Sequence, residues 1–154
     1  MSRLFSAITC IIAAAALHTL PVHAQQKPVY ETSKEDGTAG VYTFRYQNSL
    51  SMFIVTPAGV IVTDPIGYGR PQAVVTYLEE IRKITDKPIK YVLYSHHHFD
   101  HIAGGKPFKD AGAKFIAHKR TKERLMQLKD PHTVLPDETF DKTKTVTLGG
   151  TFEY

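Results

Sequence analysis

The sequence predicts an α/β, or mixed α+β, layer fold, and three observations predict it. Two short β-rich runs, residues 50–55 and 60–64, flank the turn residues Pro57-Ala58-Gly59. Residues 72–84 set Val75, Leu78, Ile81 and Ile84 at helical spacing with Glu79, Glu80, Arg82 and Lys83 between them. Residues 89–95 form a β-rich run that is apolar on both faces at its centre, as in a strand enclosed within a sheet. Strands that alternate with helices bury their apolar faces against one another in layers.

In chain order, residues 1–24 come first, with Arg3 as their one charge, an apolar run over 4–16 and a close on Val22-His23-Ala24. That is the pattern of a secretory signal peptide, and it predicts a secreted or periplasmic protein. Without it the chain keeps 130 of its 154 residues and a formal charge of +3 rather than +4, enough for one domain. The apolar run is too short to span a bilayer, and no second one follows. Cys10, the single cysteine, lies inside this segment, so disulfides, thiol catalysis and thiolate ligands are excluded from the mature chain. The pI near 9.1 comes from scattered lysines without interleaved aromatic residues, so nucleic acid is not an expected partner.

Residues 25–40 are polar, show no period, and read as a flexible leader. Residues 41–45 alternate as a strand and open a domain expected to run over 41–154, with the hairpin 50–64 next, ending on Asp64. Pro65, Gly67, Gly69 and Pro71 break the chain before the amphipathic helix. After the buried strand stand the histidines, then a short Gly-Gly-Lys-Pro segment, a strand over 114–117 and a helix over 119–128. Residues 131–143 read as irregular, and 145–154 as a hairpin whose second strand has only begun.

The chemistry lies in Ser95-His96-His97-His98-Phe99-Asp100-His101. Side chains two apart on an extended chain point the same way, so His96 and His98 share one face and can converge on one metal ion, while His97 points to the other. A turn into a helix near Phe99 brings Asp100 and His101 to the same end of the strand, where they can hold a second ion. Two nitrogen-rich sites of this kind suit zinc. Gly104 and Gly105 would let the backbone pack close to the metal or to the strand. His118, between a strand and a helix, reads as a surface or helix-capping residue, and His132 has no assigned role.

The run His96-x-His98-x-Asp100-His101 after a hydrophobic strand resembles the signature of the metallo-β-lactamase superfamily, and the hairpin ending in Val62-Thr63-Asp64 resembles an earlier landmark of that family. The resemblance implies a four-layer αββα sandwich, of which this chain would carry the amino-terminal portion. It implies that His96 and His98 bind a first zinc and Asp100 and His101 a second. Asp100 would also orient the nucleophilic hydroxide, and Asp64 would hold the ligand loops by hydrogen bonds. Further ligands would come from a second half of the domain, since none follows His101 in a matching context. Residues 25–154 alone are therefore expected to aggregate or to need a partner chain. The function implied is an exported zinc hydrolase acting on an ester, lactone or amide-type bond of a small molecule, β-lactams included. An iron or zinc–iron pair would accompany a sulfur- or redox-linked member, and the alternative is an inactive metal-binding or interaction module on the same fold.

Overall fold

The computed structural model describes residues 27–149 and 151–153. The predicted signal segment 1–24 lies outside the described residues. A meander of four antiparallel strands comes first: β1 (Tyr30–Lys34), β2 (Val41–Tyr46), β3 (Ser49–Thr56) and β4 (Gly59–Thr63). Then come α1 (Pro71–Ile84), β5 (Ile89–Leu93), the single turns α2 (Phe99–Ile102) and α3 (Lys106–Asp110), β6 (Lys114–His118), α4 (Lys119–Leu128) and β7 (Glu138–Phe140). Strands β4 to β7 run parallel to one another, completing a seven-stranded mixed sheet in the order β1-β2-β3-β4-β5-β6-β7. A separate hairpin, β8 (Thr145–Thr147) with β9 (Thr151–Glu153), ends the described chain. Among the described residues no helix is long and apolar enough to cross a membrane.

The sheet has two apolar faces because its strands alternate side chains. Phe53, Val62, Val92, Phe115 and Ala117 face the helices and share one core with Tyr77 of α1, Ile102 of α2, Phe108 of α3 and Leu125 of α4. Ile61, Leu93 and Ile116 point the other way, and Val146 and Leu148 from the hairpin segment pack on them. The described residues thus supply the helix layer and the first sheet of the implied sandwich, with the hairpin segment on the sheet's second face.

Three expectations are corrected. The segment 25–40, expected to be a flexible leader, contains β1, which pairs with β2 from Tyr30↔Tyr46 to Lys34↔Tyr42 and is tied to α1 where the Thr32 hydroxyl donates to Glu80 Oε2 at 2.7 Å. Both faces of this edge strand are largely exposed, so its composition carries no alternation and backbone pairing alone defines it. The inward stripe of α1 is Val74, Tyr77 and Ile81, flanked by Ala73 and Leu78, whereas Val75 and Ile84 are exposed. Tyr77 decides that rotation: its ring stacks on Phe44 at 4.3 Å and meets Phe53 and Phe108 edge-on, a larger apolar contact than Val75 could make. Residues 131–143 are not wholly irregular, since β7 adds a three-residue strand to the parallel edge.

Candidate metal centre

Strands β4 and β5 are parallel neighbours with Thr63 opposite Leu93, so their carboxyl ends lie side by side. Ligand sites of α/β sheets form at such ends. Here the ladder continues one step, with Asp64 N–H donating to Leu93 O at 3.1 Å, which seats Asp64 against Ser95. Asp64 is buried, with a side chain 6% exposed, and both of its carboxylate oxygens are engaged: Oδ1 accepts from Ser95 N–H at 2.9 Å and Oδ2 from the Ser95 hydroxyl. Ser95 has only that one hydroxyl proton. Its Oγ, 2.7 Å from His96 Nδ1, therefore accepts from His96, which puts the ring proton on Nδ1 and leaves the Nε2 lone pair free.

His98 caps the single turn α2, with its carbonyl accepting from His101 N–H and Ile102 N–H at 3.1 Å each. That turn folds His101 back over the strand end. Ring centroids lie 4.5 Å apart for His96 and His101 and 4.7 Å apart for His96 and His98. Ligand atoms of Asp64, His96 and His101 all fall within 4.8 Å of one another. His101 Nδ1 is 3.6 Å from Asp64 Oδ2, and its Nε2 is 3.6 Å from Asp100 Oδ2, on a side chain that is mostly exposed. The structure thus gathers His96, His101 and Asp64 most tightly, with the His98 ring edge-on to His96 and Asp100 at the open edge. Burial, and then the neighbouring His101, hold His96 below the usual histidine range, so at neutral pH it carries no charge and can donate its lone pair.

The support comes from the β4–α1 loop. Ile66 N–H donates to His101 O at 2.6 Å and Gly67 N–H to Ala103 O at 2.8 Å, while Arg70 bonds Asp100 O at 3.1 Å and Ser49 Oγ at 2.6 Å. Gly104, at φ +87°, lies against Gly67: a Cβ there would stand 2.9 Å from Gly67 Cα and 2.8 Å from Val74 Cγ2. Gly105 packs on β6, where a Cβ would meet the Phe115 ring at 2.8 Å. The glycine pair therefore serves close packing on the loop and the sheet.

His97 stands outside the tight group, with its ring 4.8 Å from that of His98. His118 caps α4, its Nδ1 accepting from Arg120 N–H at 3.2 Å and its Nε2 lying 2.6 Å from Asp141 O. His132 accepts from Gly104 N–H at its backbone carbonyl, 2.9 Å away. Sequence reasoning missed Ser95 and Arg70. Ser95 stood in plain view between the buried strand and the histidines, but Arg70 carried no signal, since its partners are 21 and 30 residues away.

The sequence profile of the metallo-beta-lactamase superfamily matches residues 45–151. A hydroxyacylglutathione hydrolase of Pelagibacter ubique (strain HTCC1062) is 35% identical over 85 residues, 53% of this chain and 33% of that one. A linear primary-alkylsulfatase of Pseudomonas sp. (strain ATCC 19151) is 47% identical over 55 residues, 36% of this chain and 10% of that one. The chain therefore spans a third or less of the curated relatives it matches. A solved metallo-beta-lactamase from Pontibacter korlensis superposes with a TM-score of 0.60 at 19% identity, over 80% of this chain and 59% of its own, a likeness of fold.

Proposed function

Because the chain belongs to the metallo-beta-lactamase superfamily, whose fold implies a metal cofactor, we propose that it acts as an exported zinc-dependent hydrolase that cleaves an ester, lactone or amide-type bond, β-lactams included, in a small-molecule substrate. The observation that carries this reading is the convergence of Asp64, His96 and His101 within 4.8 Å at the carboxyl ends of β4 and β5. The donor set fits zinc: two imidazoles, one with its Nε2 lone pair set free by Ser95, with the His98 ring and the Asp100 carboxylate alongside.

His96 and His98 would hold one ion, and Asp100 and His101 a second. Zinc held there would supply a water of lowered pKa, able to act as a nucleophile at neutral pH, and would polarise the bond to be broken. The chain's own residues do the rest. Asp64 and Ser95 keep His96 in one tautomer. Asp100, the more exposed of the two carboxylates, would orient the attacking water and accept its proton. Arg70 and the β4–α1 loop hold α2 in register with the strand end.

The test is zinc content and turnover of the full-length protein on nitrophenyl esters, lactones and a chromogenic cephalosporin. Wild-type protein is expected to bind zinc and turn over at least one class, and Asp100→Ala to lose activity by about 10²-fold or more. Failure to retain zinc at a micromolar concentration would refute the reading. Zinc binding without turnover of any substrate would replace it with an inactive module.

A further inference from the structure

Beside the candidate ligands lies an open cavity of about 340 Å³, large enough for a small ligand. Its wall is made by Tyr68, His97, Phe99, Arg124 and Leu128, and His98 and Asp100 stand within it. The cavity is built from three separate parts of the chain: the β4–α1 loop, the histidine run with α2, and one face of α4. Arg124 and Leu128 sit four residues apart on α4, so the helix turns both toward the same surface. A larger cavity of about 650 Å³ also includes Tyr68, but none of the candidate ligands lines it.

The chemistry of the wall is mixed in a specific way. Tyr68 and Leu128 leave large apolar surfaces open to solvent, and the Tyr68 ring lies 6.0 Å from that of Phe99 at a 30° tilt, which makes a continuous apolar floor. The same cavity is lined by the Arg124 guanidinium. Among the described residues, the only hydrogen bond made by the Arg124 side chain is a long one of 3.3 Å to Gln127 Oε1, and no carboxylate lies within ion-pair distance of it. A surface arginine is ordinarily a solvated charge, but this one shares a cavity with an exposed aromatic floor and with two candidate metal ligands. His97, whose ring lies 4.8 Å from that of His98, adds a second nitrogen donor to the same wall.

We propose that this cavity is the substrate subsite, and that it selects small amphiphilic anions: the charged group on Arg124 and His97, the apolar body on Tyr68, Phe99 and Leu128, and the bond to be cleaved toward His98 and Asp100. The assignment rests on the hydrolase reading only for which bond is cleaved. Recognition of the anion is independent of it.

The probe is hexane-1-sulfonate, which has no hydrolysable bond, compared with hexan-1-ol, its neutral counterpart. Binding is followed by amide chemical shifts of the full-length protein. The expected result is saturable binding of the sulfonate, with shifts centred on Tyr68, Phe99, Arg124 and Leu128. Arg124→Gln should weaken the sulfonate about tenfold and leave the alcohol unchanged, whereas Leu128→Gln should weaken both. Both positions are exposed on α4, so neither substitution disturbs the core. Sulfonate affinity within twofold of wild type in Arg124→Gln, or shifts centred elsewhere, would overturn the proposal. Because the probe cannot be turned over, loss of this subsite and loss of the hydrolase reading are separate results.

Discussion

Replacing Ser95 by alanine removes one hydroxyl that makes two contacts, to Asp64 Oδ2 and to His96 Nδ1 at 2.7 Å. The backbone N–H of residue 95 still donates to Asp64 Oδ1, so the buried carboxylate loses one of its two partners from this residue. A charge-assisted bond of this kind contributes about 1.5–3 kcal/mol, and that range sets the expected loss of stability. The larger consequence is for His96, whose Nδ1 proton has no acceptor once Oγ is gone, so the ring is free to change tautomer and to rotate. Losing the partner of a ligating histidine typically weakens metal binding by about 10- to 100-fold, or ~1.4 to 2.7 kcal/mol. Two measurements check this: zinc affinity by competition against a chelator, and the ¹⁵N shifts of His96, which should report an Nδ1–H ring in wild type and a mixture in the variant. Zinc affinity within twofold of wild type, together with an unchanged His96 tautomer, would refute the reasoning.

Three further outcomes follow from the packing and the charges. Gly104→Ala forces a side chain to φ +87° and into Gly67 and Val74, so it should lower stability by about 2 kcal/mol or more and weaken zinc binding with it; an unchanged thermal midpoint would contradict the close-packing account. His118→Ala should cost about 1 kcal/mol in denaturant unfolding through loss of the α4 cap while zinc content stays the same, and a lost ion would make His118 a ligand instead. At Asp137, burial alone would raise the carboxyl, but the hydrogen bonds from Lys109 Nζ and Phe115 N–H outweigh it and hold the group below the usual range. Its folded pKa is thus below its unfolded one, so its stabilisation is present above about pH 4 and is lost as pH falls further; Asp137→Asn should flatten the stability profile there, and superimposable acid profiles would count against the assignment.

Much of this protein was legible before any tertiary contact was known, because the signals are local. The hairpin around Pro57-Ala58 and the helix at 119–128 stand where turn chemistry and period put them, and the strand expected over 89–95 is there, ending two residues earlier at Leu93. The His96–His101 run suggests metal ligation by its spacing, and the family profile matches a segment that contains it. What tertiary structure decided is whatever depends on a distant partner. Strand β1 exists because β2 offers its edge, and its own residues show no period. The buried stripe of α1 turned toward Tyr77 because Phe44, Phe53 and Phe108 were waiting for an aromatic ring, whereas helical spacing alone served Val75 and Ile84 as well. The same division holds in the candidate metal centre. Spacing along the strand put His96 with His98, but the one-turn helix α2 and the neighbouring strand end brought His101 and Asp64 to His96. Periodicity is a property of the chain's own geometry and is written in the residues. Convergence of side chains from different strands depends on sheet order and register, which no short stretch of sequence contains.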